Sequence, residues 1–393
     1  MIEKTVTNCN ICSNNELVEL IKMPKLPLTG LYLEKKDLEN NLYDQGFNYC
    51  KNCGHAQLKN VIDVNLTYGD SYSHRTSESN LSLNNNEFFF NTLESVVKNK
   101  EFSQILEIGC NDAYLIKRLS NRAKNLIGID PIWKDKDFVI DNKISIKGKF
   151  INELDDTDLN AKPDLIISSH TFEHVDGIYK EFDKLVNIAA DDCLFFIEVP
   201  SLESMINQRR YDQIFHQHLQ YFSYSSMRLL IELIGCEFMG SKYNYFNWGG
   251  TTLYWFKKTS KINKEKVPNN SLNIFQEKQI TDNYNIYKKQ LQESYKQIQA
   301  FDEEVIGFGA AQMLPMIGYH MESNLDWISK IYDDNDNRVG KYLPYISPKI
   351  EKFSEEGIKD SIVLISAIDS TRPLMKKLLN CAPRRIYSLS NIF

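Results

Sequence analysis

Two pairs of cysteines near the start of the chain limit what its first part can fold into. Cys9 and Cys12 form one Cys-x-x-Cys pair and Cys50 and Cys53 form the other, with 37 residues between the pairs. A Cys-x-x-Cys turn directs two thiolates at one point, and two such turns complete a tetrahedral Zn²⁺ site. Because four thiolates leave no open coordination position, the spacing predicts a closed, structural zinc site. A redox pair is the alternative that the spacing leaves open.

Charge and hydropathy restrict the class of protein further. The 393 residues include 46 basic and 52 acidic side chains, and the resulting net charge of −6 argues against a nucleic-acid-binding surface. The apolar runs fall short of the ~18 residues of a membrane span, and the first residues do not resemble a signal peptide. We therefore expect a soluble, cytoplasmic monomer or homodimer without nucleic-acid or membrane partners.

An alternation of strands and helices follows the cysteine-rich part. The pattern predicts strands at 104–109, 125–130, 164–169 and 193–200, with helices at 114–122 and 178–189. Such alternation is typical of a doubly wound α/β domain with a parallel sheet. A long helix at about 276–300 leads to a second α/β pattern that begins at 304–312. We predict a zinc-binding module at 1–70, a central domain at 71–275 and a C-terminal domain at 276–393.

The end of the first predicted strand of the central domain carries the candidate cofactor site. Glu107, Gly109, Asn111 and Asp112 lie at this strand end, and Asp130 ends the next strand, 21 residues after Gly109. Parallel sheets bind ligands at the carboxyl ends of their strands, and an acid at the second strand end suits a ribose diol. The turn lacks the second glycine of a dinucleotide site, which favours the class I S-adenosylmethionine (SAM) fold over NAD. We expect Glu107 to order the amino-acid portion of SAM; a turn with no ligand is the alternative.

Histidines cluster after the later part of the predicted sheet. His170 and His174 follow strand 164–169, with Glu173 between them, where a methyl group and its acceptor would meet. We assign His170 to the cofactor site and His174 to catalysis. His216 and His218 are two residues apart, so an extended segment would place them on one face. Such a pair suits a metal or general acid–base chemistry, and the lack of a third ligand at a suitable spacing favours acid–base chemistry.

The chain is similar to a known family, the three-domain ketosugar C-methyltransferases, which methylate nucleotide-linked deoxysugars in bacterial sugar pathways. The resemblance covers nearly the whole chain and rests on the two cysteine pairs, EIGCNDAYL at 107–115, FEHV at 172–175, EVP at 198–200, FHQHLQYFS at 215–223, GFGAAQ at 307–312 and DDNDNRVGKYLP at 333–344. It implies an N-terminal zinc domain, SAM as the cofactor, a nucleotide-sugar substrate and a role in bacterial glycan or natural-product biosynthesis.

The resemblance also implies roles for individual residues. In this family a 4-keto sugar loses its C3 proton and the enolate takes the methyl group, and the residue that matches the base is His218. The residue matching His174 hydrogen-bonds the keto oxygen, as an oxyanion donor would. The positions implied to contact the substrate are Tyr72, His74, Phe215, Gly307, Gly309 and Lys341.

Departures from the family pattern concentrate in the acceptor site. Phe215 and His74 stand where the family has tyrosines, and Gln217 stands where it has a glutamate. Glutamine orients a neighbouring histidine but adds no charge, so we expect Gln217 to orient His218 and the pKa of His218 to lie nearer the unperturbed ~6.5 than it would beside a carboxylate. We therefore expect methyl transfer, with carbon as the first acceptor and oxygen or nitrogen as alternatives. Altered chemistry, or a non-catalytic scaffold that binds a sugar nucleotide, is the competing hypothesis.

Overall fold

The N-terminal part of the protein is built from short antiparallel strands. The computed structural model describes residues 2–66, 75–245, 249–259, 275–300 and 303–389. The first strands are β1 (Ile2–Thr5), β2 (Leu17–Pro27), β3 (Leu42–Cys50), β4 (Ala56–Leu58) and β5 (Asn60–Ile62). β2, β3 and β4 share a sheet and β1 pairs with β5. One cysteine pair therefore lies in the loop between β1 and β2, and the other lies where β3 turns into β4.

An eight-stranded sheet forms the centre of the molecule. Its strands are β6 (Phe102–Ile108), β7 (Ala123–Ile129), β8 (Phe138–Val139), β9 (Ile144–Lys147), β10 (Leu165–Ser169), β11 (Leu194–Pro200), β13 (Cys236–Asn244) and β14 (Thr251–Lys258). The order is β13-β14-β11-β10-β6-β7-β9-β8, and the five strands from β11 to β9 are parallel. β6 and β10 are buried almost throughout, as expected of strands covered on both faces. The predicted doubly wound α/β fold is confirmed.

One helix precedes the central sheet, and further helices lie between and after its strands. They are α1 (Asn80–Val97), α2 (Tyr114–Arg118), α3 (Ile178–Ile188), α4 (Leu202–Asn207) and α5 (Tyr224–Leu233), and α6 (Glu277–Gln299) is the long helix that leads to the C-terminal domain. α2 is shorter than the predicted 114–122, because the chain after Arg118 continues with tighter i→i+3 hydrogen bonds from Leu119 and Arg122. None of the described helices is both long and apolar enough to cross a membrane.

The C-terminal domain repeats the α/β arrangement on a smaller scale. Its strands are β15 (Val305–Phe308), β16 (Ile328–Asp333), β17 (Ile350–Lys352), β18 (Ile362–Ile365) and β19 (Arg385–Ser388), and its helices are α7 (Leu314–Met321), α8 (Glu355–Ile358) and α9 (Thr371–Leu379). The sheet is fully parallel, in the order β17-β16-β15-β18-β19. The second α/β pattern of the sequence is thereby confirmed.

The segment between β11 and α5 leaves the central sheet and packs against both neighbouring parts. Its short strand β12 (Gln220–Tyr221) joins the N-terminal sheet beside β4. The Tyr211 hydroxyl donates to the Ile280 carbonyl of α6 at 2.7 Å, and Phe215 shares a buried core with Met23 and Met313. This packing fixes the histidine-bearing residues 215–218 where the three parts meet. The division at residues 70 and 275 stays a prediction.

Candidate functional site

The four paired cysteines converge as a metal site requires. The Sγ atoms of Cys9 and Cys53 lie 3.6 Å apart, as do those of Cys12 and Cys50. All four sulfurs lie within 4.8 Å of one another. A tetrahedron with Zn–S bonds of about 2.3 Å has sulfurs about 3.8 Å apart, so the cluster fits Zn²⁺. Gly54 supports the second turn at a φ of 73°, a left-handed conformation that glycine adopts without strain.

The backbone of the turn after β6 lies close to the loop that follows β10. Gly109 has a φ of 72°, and a Cβ at this position would lie 2.0 Å from Oγ1 of Thr171. Only glycine fits there, which explains the one glycine of the motif. The Gly109 amide donates to the Ile129 carbonyl at 2.8 Å, so the turn is tied to the end of β7. The predicted cofactor turn is therefore a rigid structure at the carboxyl edge of the sheet.

Asp130 stabilises this turn and can still accept hydrogen bonds from a ligand. Its Oδ2 accepts from the Asn111 amide at 2.8 Å, and its Oδ1 accepts from the Ile132 amide at 3.0 Å. Burial raises the pKa of Asp130, although these backbone hydrogen bonds oppose the rise. Each carboxylate oxygen has a second lone pair, so both can still accept from a ribose diol.

Glu107 provides the second acidic group of the predicted cofactor site. Its Oε2 is buried and makes no hydrogen bond within the described protein. Burial raises the pKa of Glu107 well above its usual value, and the nearby Asp130 and Asp112 add to the rise. An unpaired buried carboxyl oxygen is costly, so a donor from a bound cofactor would stabilise it. The residues present thus fit SAM.

Asp112 is placed differently from the other acids. Asn111 lines the cavity, whereas Asp112 is not among the described residues that line it. Asp112 Oδ2 instead accepts from the Ser77 amide at 2.9 Å, and Asn111 Oδ1 accepts from the Thr76 amide at 3.2 Å. Both side chains therefore fasten the segment that precedes α1 to the cofactor turn, and the contact we predicted between Asp112 and the cofactor stays a prediction.

A cluster of histidines and one glutamate forms the other end of the cavity. His170 Nδ1 lies 3.2 Å from Glu173 Oε1, and His174 Nε2 lies 3.9 Å from the same oxygen. The rings of His174 and His218 meet edge to face with centroids 4.9 Å apart. His174 Nδ1 donates to the Gln217 carbonyl at 2.8 Å, since a carbonyl can only accept. The sequence prediction that brought His174 and His218 to one site agrees with this geometry.

The pKa values of His218 and His170 are shifted in opposite directions. Burial lowers the pKa of His218 well below its usual value, and the proximity of His174 and His170 lowers it further, while a hydrogen bond with the Gln213 backbone opposes them. The expectation for His218 compared a glutamine neighbour with a carboxylate neighbour and did not include desolvation, which is the largest cause of the shift of this pKa. For His170, burial opposes the charged form, but the hydrogen bond and charge of Glu173 raise its pKa above the usual value.

The segment 215–218 is a turn, not the extended strand that the sequence suggested. The His218 amide donates to the Phe215 carbonyl at 3.0 Å, so His216 and His218 do not share a face. His216 Nε2 donates to the Leu26 carbonyl at 3.0 Å, and its Nδ1 lies 3.3 Å from Gln45 Nε2. Burial lowers the pKa of His216 to about 4. Both ring nitrogens thus bind the N-terminal sheet, which indicates a structural role in place of a catalytic one.

Gln217 and Phe215 support the histidine pair in ways that the sequence did not reveal. The Gln217 side chain accepts from the Thr29 hydroxyl at 3.3 Å, and its backbone carbonyl accepts from His174. Gln217 therefore positions His174 through the backbone, whereas we predicted that its side chain orients His218. The centroids of the Phe215 and His218 rings lie 4.0 Å apart, so Phe215 forms part of the cavity wall beside the predicted base.

One cavity of about 770 Å³ connects the cofactor turn and the histidine cluster. Among the described residues, Lys4 reaches it from the N-terminal part and Gln312 from the C-terminal domain, but Gly307, Gly309 and Lys341 do not line it. Lys341 forms an ion pair with Glu34 at 3.7 Å. The predicted substrate contacts at these three positions are thus not brought to the cavity. Tyr72 and His74 lie outside the described residues.

Glu198 supports the site from outside the cavity, and we did not predict this role from the sequence. It is fully buried at the end of β11, where its Oε1 accepts from Thr251 at 2.6 Å and its Oε2 accepts from Ser169 at 3.0 Å and Asn85 at 2.9 Å. This network fixes the end of β10 directly before His170. The sequence does contain a sign of this network, because Glu198 interrupts the apolar run of β11. A buried carboxylate needs several hydrogen-bond donors, so such a residue predicts polar partners around it.

Asp333 occupies in the C-terminal domain the place that Asp130 has in the central one. It ends β16, and its Oδ2 accepts from the Ala310 amide at 2.7 Å. Its Oδ1 accepts from the Asn335 amide at 2.8 Å. The preceding turn is also similar, because the Gly309 amide donates to the Tyr332 carbonyl at 2.8 Å. The two domains therefore have the same hydrogen-bonding arrangement at the end of one strand.

This similarity supplies a matched control for the predicted ribose contact. Asp130→Ala is expected to weaken SAM binding by about tenfold or more, because hydrogen bonds to a charged group contribute roughly 1.5–3 kcal/mol each. Asp333→Ala removes the same two kinds of backbone contact elsewhere, so it should leave SAM affinity unchanged. Isothermal calorimetry measures both, and an unchanged affinity for Asp130→Ala would remove Asp130 from the cofactor site.

Known proteins match the two parts of the chain that carry these sites. Residues 84–239 match the family model described as "Methyltransferase domain", and residues 9–68 match the one described as "Putative zinc binding domain". Among curated proteins, the chain is similar to C-methyltransferase NovU from Streptomyces niveus, with 22% identity over 239 residues. The match covers 60% of this chain and 57% of NovU, so it spans less than two thirds of that relative.

Solved structures that partly match the chain include proteins named as methyltransferases. They include N-methyltransferase NodS from Bradyrhizobium japonicum WM9, with a TM-score of 0.35 and 15% identity over 44% of this chain and 86% of NodS. Magnesium protoporphyrin IX methyltransferase ChlM from Synechocystis PCC 6803 gives a TM-score of 0.37 and 10% identity over 46% of this chain and 85% of ChlM. TM-scores this low carry no argument about function. The predicted cofactors, SAM and a structural Zn²⁺, are confirmed by the two domain matches and the cysteine cluster.

Proposed function

We propose that this chain, a SAM-dependent methyltransferase with an N-terminal zinc-binding domain, methylates a nucleotide-activated keto or deoxy sugar. The observation that carries the proposal is the pair His174 and His218, which stands in the wall of the same cavity as Glu107 and Asp130. A base beside the cofactor site is what methylation of an acidified C–H bond needs. The similarity to a protein named as a C-methyltransferase supports carbon as the acceptor atom.

The proposed reaction begins with the removal of a proton by His218. A ketone acidifies the carbon next to it, and a neutral imidazole in the cavity wall can take that proton. SAM supplies an electrophilic methyl group when it is bound. His174 can stabilise the developing enolate oxygen from Nε2 only when it is doubly protonated, because its Nδ1–H already donates to the Gln217 carbonyl. The Glu173 carboxylate, 3.9 Å away, would stabilise that charged form.

The zinc-binding domain contributes to this site through structure and not through chemistry. Thr29 donates to Gln217, and the Leu26 carbonyl accepts from His216, so the N-terminal sheet supports the whole turn 215–218. The four sulfurs fill a tetrahedral coordination sphere, which leaves no open position for a substrate. We therefore assign zinc the role of stabilising the N-terminal module, which supports the turn at residues 215–218.

The pH profile of the reaction should reflect the buried base. Because burial lowers the pKa of His218 well below its usual value, this residue stays neutral and able to accept a proton as the pH falls from about 8 to about 6. We expect kcat/KM to show no acid limb in this range. Initial rates measured across the range test this, and an acid limb with a midpoint near or above the ordinary ~6.5 of histidine would contradict a desolvated base.

The acceptor can be found by an assay that makes no assumption about the methylated atom. We expect release of S-adenosylhomocysteine when the full chain, with its zinc, is incubated with SAM and a 4-keto or deoxy sugar nucleotide. A panel that varies the nucleotide and the sugar separately would identify which part is recognised, and reactions without acceptor give the background. SAM binding without acceptor-dependent turnover across the panel would favour the non-catalytic alternative.

A further inference from the structure

We propose that Glu173, His174 and His218 form a second metal site, which binds one divalent first-row transition metal ion in the wall of the cavity. Each of the three residues offers one ligand atom, and these atoms lie within 4.8 Å of one another. Two histidines and one carboxylate, with further positions open, are a typical ligand set for such ions. This site is separate from the four cysteines and faces the proposed acceptor.

Glu173 provides the observation that points most directly to a missing partner. Its side chain is 1% exposed, and its Oε2 makes no hydrogen bond within the described protein. Its other oxygen is held by His170 Nδ1 at 3.2 Å, which fixes the orientation of the carboxylate. A buried carboxylate with one oxygen unsatisfied is unstable unless a cation or a donor approaches it. A metal ion would supply that charge.

The two histidines are oriented in the manner of metal ligands. A histidine that binds a metal usually donates its other ring N–H to a carbonyl or carboxylate. His174 donates from Nδ1 to the Gln217 carbonyl at 2.8 Å, so Nε2 is the ring nitrogen that would bind a metal ion when the ring is neutral. His218 makes a hydrogen bond with the Gln213 backbone. Each ring therefore has a backbone contact of the kind that fixes a ligand, and the ring centroids are 4.9 Å apart.

The chemistry of the cluster indicates what the ion would do. Two neutral imidazoles and one carboxylate leave a divalent ion with net positive charge and unfilled positions that face the cavity. Neighbouring oxygens of a sugar, a keto oxygen or a hydroxyl, are ligands of suitable type. The metal would occupy the lone pair that His218 uses as a base, so metal binding and the proposed proton transfer exclude each other. This consequence for activity rests on the proposed function, whereas metal binding itself does not.

The binding test uses the full chain with its structural zinc retained, titrated with Co²⁺ in metal-free buffer. We expect about one Co²⁺ per chain to bind in addition to the zinc, with visible absorption that lacks the intense thiolate-to-cobalt charge-transfer band. Glu173→Gln and His218→Asn should each weaken Co²⁺ binding by at least ~100-fold, since loss of a second-shell partner already costs 10–100-fold.

Glu181→Gln is the matched control, because Glu181 is another buried glutamate in the cavity wall with an unpaired Oε2. It should bind Co²⁺ as the unmodified protein does. Zinc content and the thermal midpoint establish that each variant is folded. Absence of additional Co²⁺, or equal binding by Glu173→Gln and Glu181→Gln, would overturn the proposal. Turnover is measured on protein freed of added Co²⁺, because a metal bound to His218 would block the proposed proton transfer. Methyl transfer by a chain that binds no additional Co²⁺ would refute only the metal site, and Co²⁺ binding by a chain that shows no acceptor turnover after Co²⁺ is removed would refute only the proposed function.

Discussion

Replacing His218 with asparagine is expected to lower kcat by ~10²–10⁴, the usual contribution of a positioned general base. Asparagine keeps a polar side chain of similar reach but cannot take up a proton at neutral pH. The centroid of the His218 ring lies 4.9 Å from that of His174 and 4.0 Å from that of Phe215, and both neighbours stay in place in this variant, so the shape of the pocket should be retained. Steady-state kinetics on the identified acceptor, with SAM affinity measured by calorimetry, separate loss of the base from loss of the cofactor.

His216→Asn is the informative comparison for that experiment. Its two ring nitrogens contact Leu26 and Gln45 of the N-terminal sheet, so this change should lower the free energy of unfolding by ~1–3 kcal/mol. Turnover per folded molecule should fall far less than in His218→Asn. Full activity of His218→Asn would show that the base lies elsewhere, and a larger loss of kcat in His216→Asn would reverse the roles that we assign to the two histidines.

Replacing Cys50 with serine is expected to remove zinc and unfold the N-terminal module. Structural zinc contributes on the order of 10–16 kcal/mol to folding in zinc-finger peptides, and a site with three thiolates loses much of that affinity. β4 of this module pairs with β12, and Thr29 supports Gln217, so the histidine turn should be disturbed as well. We expect less than one zinc per chain by elemental analysis, a lower thermal midpoint and loss of methyl transfer.

Cys236→Ser provides the control for the loss of a thiol. Cys236 is buried at the start of β13, in the central sheet, and it is not part of the four-cysteine cluster. Its replacement should cost some stability in the core but leave the zinc content at about one per chain. Freshly purified protein without metal, or a Cys50→Ser variant with unchanged zinc content, would contradict the structural role of the cluster.

Features encoded in local spacing could be predicted from the sequence. The zinc site follows from the two Cys-x-x-Cys turns, because each turn fixes its own pair of thiolates and only the meeting of the two pairs needs the tertiary fold. The place of Asp130 follows in the same way, since the carboxyl ends of adjacent parallel strands meet at one edge of the sheet. Both predictions depend only on residues that are close in sequence or on the regular geometry of parallel strands.

The acceptor end of the cavity depends on contacts that are remote in sequence, and there the predictions were less accurate. His216 turns away from His218 because residues 215–218 form a turn, and its partners Leu26 and Gln45 lie about 170–190 residues earlier in the chain. The low pKa of His218 results from burial and from the nearby His174 and His170, neither of which can be deduced from the residues adjacent to His218 in the sequence. The hairpin of β13 and β14 was missed as well.

The mass of the acceptor after reaction tests the proposed function most directly. The full chain would be incubated with SAM that carries a deuterated methyl group and with each active sugar nucleotide, and the product would be analysed by mass spectrometry. We predict that the sugar gains one labelled methyl group and loses one hydrogen, and that in the case of a 4-keto sugar the lost hydrogen is the one at the carbon beside the carbonyl. Sugar nucleotides that remain at their original mass, in the presence of bound SAM and intact zinc, would contradict it.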